Sequence, residues 1–190
     1  LARYYAAQFY QQDKPDYVAR YEHDREWWAQ CVHGPILAQC DVMITQAGAE
    51  GAQVRFLDIG AGPGIALDVA RHHFGWQTWG IEPNKVLCEA LAERGHTMYQ
   101  GTLETLPHGP FIALFDDHPR VHVAYLYECL EHMPHAEDYL LRVWDLLEPG
   151  GIVVVCATND WNVLQLAAHT KLGLPPWWIS VPEHINYFSP

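Results

Sequence analysis

The stretch Phe56-Leu57-Asp58-Ile59-Gly60-Ala61-Gly62-Pro63-Gly64-Ile65-Ala66-Leu67 leaves this chain few folds to choose from. An apolar, β-type run ends in three alternating glycines and passes directly into a pattern with helical spacing. Glycine lacks a Cβ, so such a turn adopts positive φ and lets a ligand approach the backbone closely. The N-terminus of the following helix then offers unpaired N–H groups beside whatever is bound. Strand, glycine turn and helix in that order describe a nucleotide-type site within an α/β fold.

Two further units follow. Gln77–Glu82 reads as a second strand ending in an acid, and Glu82 lies 24 residues after Asp58, one strand–helix–strand unit later. A carboxylate there can accept both hydroxyls of a ribose, and charge-assisted bonds of that sort are the strong ones. The plainer alternative is an acid capping the next helix, a role Asn84 fills as well. Next, Val121–Leu126 reads as a strand, followed by Leu130-Glu131-His132 and Pro134. A helical pattern over Leu140–Leu147 then leads into Glu148-Pro149-Gly150-Gly151, where the glycines stop the helix, and into the buried-strand run Ile152–Val155.

A dinucleotide fingerprint wants G-x-G-x-x-G, and its third glycine position is Ile65 here. Asp58-x-Gly60-x-Gly62-x-Gly64 instead resembles motif I of the class I S-adenosylmethionine (SAM) methyltransferases. Glu82 is similar to the acid of their motif II. Leu130-Glu131-His132 with the later Pro149-Gly150-Gly151 resembles a block of the group that includes the ubiquinone-biosynthesis-type O-methyltransferases. These ordered motifs cover roughly residues 54–158.

The resemblance implies SAM as cofactor, S-adenosylhomocysteine as product and a small-molecule acceptor. It implies that Gly60, Ala61 and Gly62 bring backbone to the cofactor, while Gly64 serves the helix. Asp58 either orients the turn or reaches the cofactor's amino group through water. Glu82 and Pro83 fall at the ribose. Gln100–Pro107 resembles the loop flanking the adenine, with Thr102 in place of the usual acid and Leu103 and Glu104 beside it. Leu126 and Tyr127 are expected to pass the cofactor as well. On the acceptor side, Glu131 and His132 are the catalytic candidates. His132 is the leading general base, since its reference pKa of about 6.5 allows proton uptake near neutrality; bonding to nearby backbone is the structural alternative. His184, within a Pro182–Ser189 segment resembling the family's "his-x-x-x-phe-ser", is a second base candidate. His122 departs from the aspartate common on this strand.

Strands alternating with helices predict a Rossmann-like, doubly wound, mainly parallel sheet with flanking helices. Residues 1–50 are expected to form a helical cover rich in aromatics, 51–160 the SAM-binding core, and 161–190 an acceptor-side segment. Trp161, Trp177, Trp178, His184 and Tyr187 are expected over the acceptor together with the N-terminal aromatics. The family's last two strands are expected to be missing through truncation, exposing the fifth strand as an edge that invites self-association as a homodimer. Phe111–Arg120 reads as a short insertion or helix.

Twenty-three acids face 11 bases, a formal charge of −12, which argues against a nucleic-acid partner. No apolar run is long enough to span a bilayer, and no basic-then-apolar leader opens the chain. Five scattered cysteines suggest reduced thiols and a cytoplasmic setting. The 12 histidines form no H-E-x-x-H spacing, so no metal site is expected. Two rival functions remain: a non-catalytic SAM- or SAH-binding module, and an NAD(P)-dependent oxidoreductase.

Overall fold

Five parallel strands form the centre of the computed structural model, which describes residues 3–49, 51–107, 120–180 and 183–188. They are β1 (Arg55–Ile59), β2 (Gln77–Glu82), β3 (Thr97–Gln100), β4 (Val121–Tyr127) and β5 (Leu147–Cys156), in the order β3-β2-β1-β4-β5. The ladders pair Asp58 with Gly80, Phe56 with Val123 and Tyr125 with Val154. The strand order reverses between β1 and β4. In open α/β sheets a crevice forms there, at the carboxyl ends of the strands.

Successive side chains on a strand point to opposite faces, and the core divides accordingly. Leu57, Ile59, Ala124 and Leu126 pack with Tyr139, Val143 and Leu146 of α6 (Ala136–Leu146). Phe56, Val123 and Tyr125 pack on the other face. Their partners there come from α3 (Gly34–Gln46), α4 (Ile65–Phe74) and α5 (Lys85–Glu93). Asn84 caps α5 by accepting the Leu87 N–H at 3.1 Å, which leaves Glu82 for other work.

The N-terminal segment is helical, but not uniformly α-helical. Besides α1 (Tyr17–His23) and α2 (Arg25–Trp28), Tyr4–Asp13 and Ala29–His33 are wound as π-helix. The last helix, α7 (Val163–Leu172), begins with an Asn162–Gln165 capping box.

The fourth crossover differs from the sequence reading. Leu147, assigned to the helix, is already extended and pairs with Val121, so β5 begins five residues before Ile152. Glu148–Gly151 then bulges out where the β4–β5 register shifts, with Gly150 at φ 83°. Proline cannot donate a ladder bond, so such a segment belongs in a bulge or at an edge. Among the described residues no strand pairs with the outer side of β5, where Val153 and Val155 are each 41% exposed. No described helix is long and apolar enough to cross a membrane. Apart from Arg120, the predicted insertion at 111–120 lies outside the described residues, as do Pro182 and Ser189.

Candidate active site

The β1–α4 turn supplies the floor of the site. Gly60 takes φ 80°, and a Cβ there would sit 3.2 Å from the Cβ of Cys129. Gly64 takes φ 73°, and its Cβ would collide with Leu91 of α5, so this glycine serves helix packing. The N–H groups of Gly60 and Ala61 both donate to the Ile81 carbonyl at 2.9 and 3.1 Å.

Glu82, at the end of β2, closes the turn from below. One carboxylate oxygen accepts the Gly62 N–H and the other the Asn84 N–H, each at 2.8 Å. Burial pushes its pKa up to about 7, against the lowering effect of those two N–H donors. Asp58 beside it is pushed up to about 8, first by burial and then by the charge of Glu82.

An ion network fastens this turn from outside. Arg25 and Arg94 both donate to the Pro63 carbonyl, at 2.9 and 2.6 Å. Both also pair with Asp68, which in turn meets buried His96 at 2.9 Å. The N-terminal helices are thereby tied to the glycine turn.

Above the turn lies a cavity of about 410 Å³. Gly60, Gly62, Glu82, Pro83, Thr102, Leu103, Glu104 and Tyr127 line it, as do Glu131, His132 and His184. The structure therefore gathers these predicted residues around one space. Asp58 and Ala61 line a smaller adjoining cavity of about 50 Å³ behind the turn. Leu126 does not reach either: it is fully buried in the core with Leu57 and Ile59, because strand alternation turns it away from the crevice that Tyr127 faces.

Tyr5, Phe9, Tyr10, Tyr17 and Tyr21 form the roof. The C-terminal aromatics expected there pack elsewhere. Trp177 and Trp178 meet at 5.0 Å and Trp161 and Trp178 at 6.0 Å, so these rings pack on one another beside α7, while Tyr187 packs 6.2 Å from the His184 ring without itself lining the cavity.

The acceptor-side groups come from two distant segments. Leu130–His132 forms a short 3₁₀ turn after β4. The Glu183–Phe188 segment is clamped onto it. Ile185 and Asn186 donate their backbone N–H groups to the Glu131 carbonyl at 2.9 and 3.0 Å, and the Asn186 side chain donates to the Leu130 and Met133 carbonyls. His132 Nδ1 donates to the Glu183 carbonyl at 2.7 Å, which leaves Nε2 with the lone pair. Burial lowers the His132 pKa, opposed by that hydrogen bond. Burial raises that of Glu131. The His132 and His184 rings lie 4.9 Å apart.

Four buried polar atoms on the walls have no partner in the protein: Tyr5 Oη, Thr102 Oγ1, Glu131 Oε2 and His184 Nδ1. Buried polar groups are ordinarily paired, so such a concentration marks a place where a ligand completes the set. Glu128, which the sequence puts at the mouth of the site beside Glu131 and His132, also lines the cavity, as do Glu183, Lys14 and Arg20, which sequence reasoning gave no role. Glu128 holds φ 48°, an uncommon conformation for a non-glycine residue and typical of functional turns. Glu183, Lys14 and Arg20 carry no local pattern that could have found them.

The family model described as "Methyltransferase domain" matches residues 21–190. The chain belongs to the methyltransferase-domain family. Among curated relatives, this methyltransferase domain is 29% identical over 118 residues to a ubiquinone biosynthesis O-methyltransferase from Bradyrhizobium sp. (strain ORS 278). That match covers 60% of this chain and 44% of the relative, so the chain spans less than half of that protein's length. Among solved structures, the plantazolicin methyltransferase BpumL superposes with a TM-score of 0.58 at 13% identity, covering 96% of this chain and 63% of that one. The cyclopropane synthase MmaA2 from Mycobacterium tuberculosis gives 0.52 at 17% identity, covering 76% and 48%. At such identities these two confirm the fold of the methyltransferase domain.

Proposed function

We propose that this methyltransferase domain binds S-adenosylmethionine and methylates a small-molecule acceptor, releasing S-adenosylhomocysteine. One observation carries the reading: Glu82, buried at the end of β2, grips the glycine turn with one lone pair on each oxygen and keeps the others for a ligand in the cavity. A ribose diol suits that pair of acceptors. Thr102 Oγ1, unpartnered and buried, supports the reading by offering a polar atom for the adenine end. Five carboxylates against two cations line the space, and tyrosine faces form its roof, a setting that favours a sulfonium cation. The names of the curated relative and of BpumL point the same way.

The cofactor supplies an activated methyl group. What remains for the chain is to position the acceptor, exclude water and dispose of a proton where the acceptor is a hydroxyl. The aromatic roof from Tyr5 to Tyr21 excludes water, and Glu131, His132 and His184 form the polar wall against which the acceptor is held. An excess of acids on the whole chain disfavours a nucleic acid as acceptor. All five cysteines are unpaired, which supports a reducing, cytoplasmic setting.

Calorimetric titration with SAM, S-adenosylhomocysteine and NAD⁺ tests the cofactor, and label transfer from methyl-labelled SAM to a panel of hydroxylated acceptors tests the activity. Saturable SAM binding with transfer is the expected result. Binding of NAD⁺ alone would overturn the reading, and tight S-adenosylhomocysteine binding without transfer to any acceptor would reduce the domain to a binding module.

A further inference from the structure

Three hydrogen-bond acceptors converge on one wall of the cavity. Side-chain N and O atoms of Glu131, His132 and His184 all lie within 4.8 Å of one another there. We propose that this wall anchors an ammonium group, so that the methyl acceptor is a compound carrying a primary amine. This acceptor class deepens the methyl-transfer reading above and rests on it.

A protonated primary amine brings three N–H donors and no acceptor, so its host must present lone pairs. Glu131 is 1% exposed, and its Oε2 has no partner. His184 Nδ1 is buried without one as well, and with the ring proton on Nε2 it accepts. His132 Nδ1 donates to the Glu183 carbonyl at 2.7 Å, which leaves the Nε2 lone pair as the third acceptor. Buried acceptors left unpaired side by side are costly unless a ligand donates to them. Acceptors about 2.9 Å from one tetrahedral nitrogen stand roughly 4.7 Å apart, so a single ammonium fits among the three as they stand. The backbone clamp of Ile185 and Asn186 on the Glu131 carbonyl holds the two contributing segments in register.

Charge selects a cation over a neutral group of the same shape. Glu128, Glu131 and Glu183 share these walls, and Glu183 meets Lys14 at 3.9 Å. Among the described residues neither Glu128 nor Glu131 pairs with a lysine or arginine. Burial raises the Glu131 pKa, against hydrogen bonds from the backbone of Glu131 and Thr158. Burial and then the charge of Glu131 raise that of Glu128. One cation between two such carboxylates relieves both. Burial lowers the His132 pKa, so its ring stays neutral and does not repel the ligand.

The remainder of the acceptor meets rings. Tyr5 lies 5.3 Å from the His132 ring, and Phe9, Met133 and Tyr139 add apolar surface. A cation beside a tyrosine face gains further attraction. An aromatic or aliphatic skeleton ending in a primary amine suits both halves of the space. Among hydroxylated acceptors, the wall selects those that also carry an amine.

Calorimetric titration of the full chain loaded with S-adenosylhomocysteine tests the anchor, because the cofactor's own amino group is then already bound. Tyramine, tyrosol and 4-hydroxyphenylacetate share a phenolic skeleton and end in an ammonium, a hydroxyl and a carboxylate. Tyramine is expected to bind at least tenfold more tightly than either of the others near neutral pH, where its amine is protonated. Glu131→Gln and His184→Ala should each cut that preference threefold or more, while S-adenosylhomocysteine affinity stays within threefold of the original and so reports an intact fold. A preference below tenfold, or no saturable tyramine binding, would overturn the proposal, as would a preference that neither substitution reduces. A chain that fails to bind S-adenosylhomocysteine yet keeps the tyramine preference when titrated alone would instead sink the cofactor reading and leave the anchor standing.

Discussion

Replacing Glu82 by glutamine separates what this side chain does for the fold from what it does for a ligand. In the native chain each carboxylate oxygen accepts one backbone N–H, from Gly62 and from Asn84, at 2.8 Å. Glutamine keeps a single acceptor oxygen and turns an NH₂ group toward the other N–H. A buried donor left without its acceptor costs roughly 1–3 kcal/mol. An opposing effect has similar size. Burial raises the Glu82 pKa from 4.5 to about 7, so keeping it ionised above neutrality costs roughly 3 kcal/mol, which the neutral amide escapes. Unfolding free energy of the ligand-free domain at pH 8 should therefore change by no more than about 2 kcal/mol. Cofactor affinity has no such compensation. Losing one charge-assisted acceptor for a ribose hydroxyl costs roughly 1.5–3 kcal/mol, or about 10- to 150-fold in Kd. Calorimetric titration of S-adenosylhomocysteine at pH 8, paired with a urea melt, reads both quantities. A variant that binds within about threefold of the original, a difference of ~0.6 kcal/mol, would refute the assignment of Glu82 to the ligand.

Two further outcomes follow from the electrostatics around the glycine turn. Asp58 and Glu82 have folded-state pKa values raised to about 8 and about 7, so the native domain holds protons that the unfolded chain has released; the stability these groups confer is complete below about pH 4 and is lost as pH rises through 7 and 8. The ligand-free Tm should fall between about pH 5.5 and 8.5, with Asp58→Asn flattening the slope, and a Tm that climbs across that window would contradict the burial argument. Asp68→Ala should destabilise the domain by roughly 3 kcal/mol, since it strands Arg25, Arg94 and His96 without their shared carboxylate; a urea midpoint unchanged from the native chain would show that the network is not holding the turn.

Much of the architecture was legible because it depends on local chemistry. The glycines at 60, 62 and 64, the acid at 82 and the alternation of strands with helices are each near-neighbour patterns, and the sheet formed around them as expected. Boundaries moved furthest where a turn competes with a ladder, as at Leu147. Site residues on the turn and on the ends of β2 and β4 could likewise be read, except where strand alternation turned Leu126 into the core. The C-terminal tryptophans were misplaced because aromatic content says nothing about which surface a ring will cover.

By itself, then, the sequence determined the fold class, the nucleotide-type turn and the carboxylate opposite it, because each is written within one strand–turn–helix unit. Only the tertiary structure decided that Glu131 and His132 meet His184, some 50 residues further on, and that the space they face is roofed by Tyr5 to Tyr21. Spacing along a chain encodes neighbours on one helix or strand. It does not encode the clamp between Asn186 and the Leu130–Met133 turn that brings these side chains to one wall of the cavity.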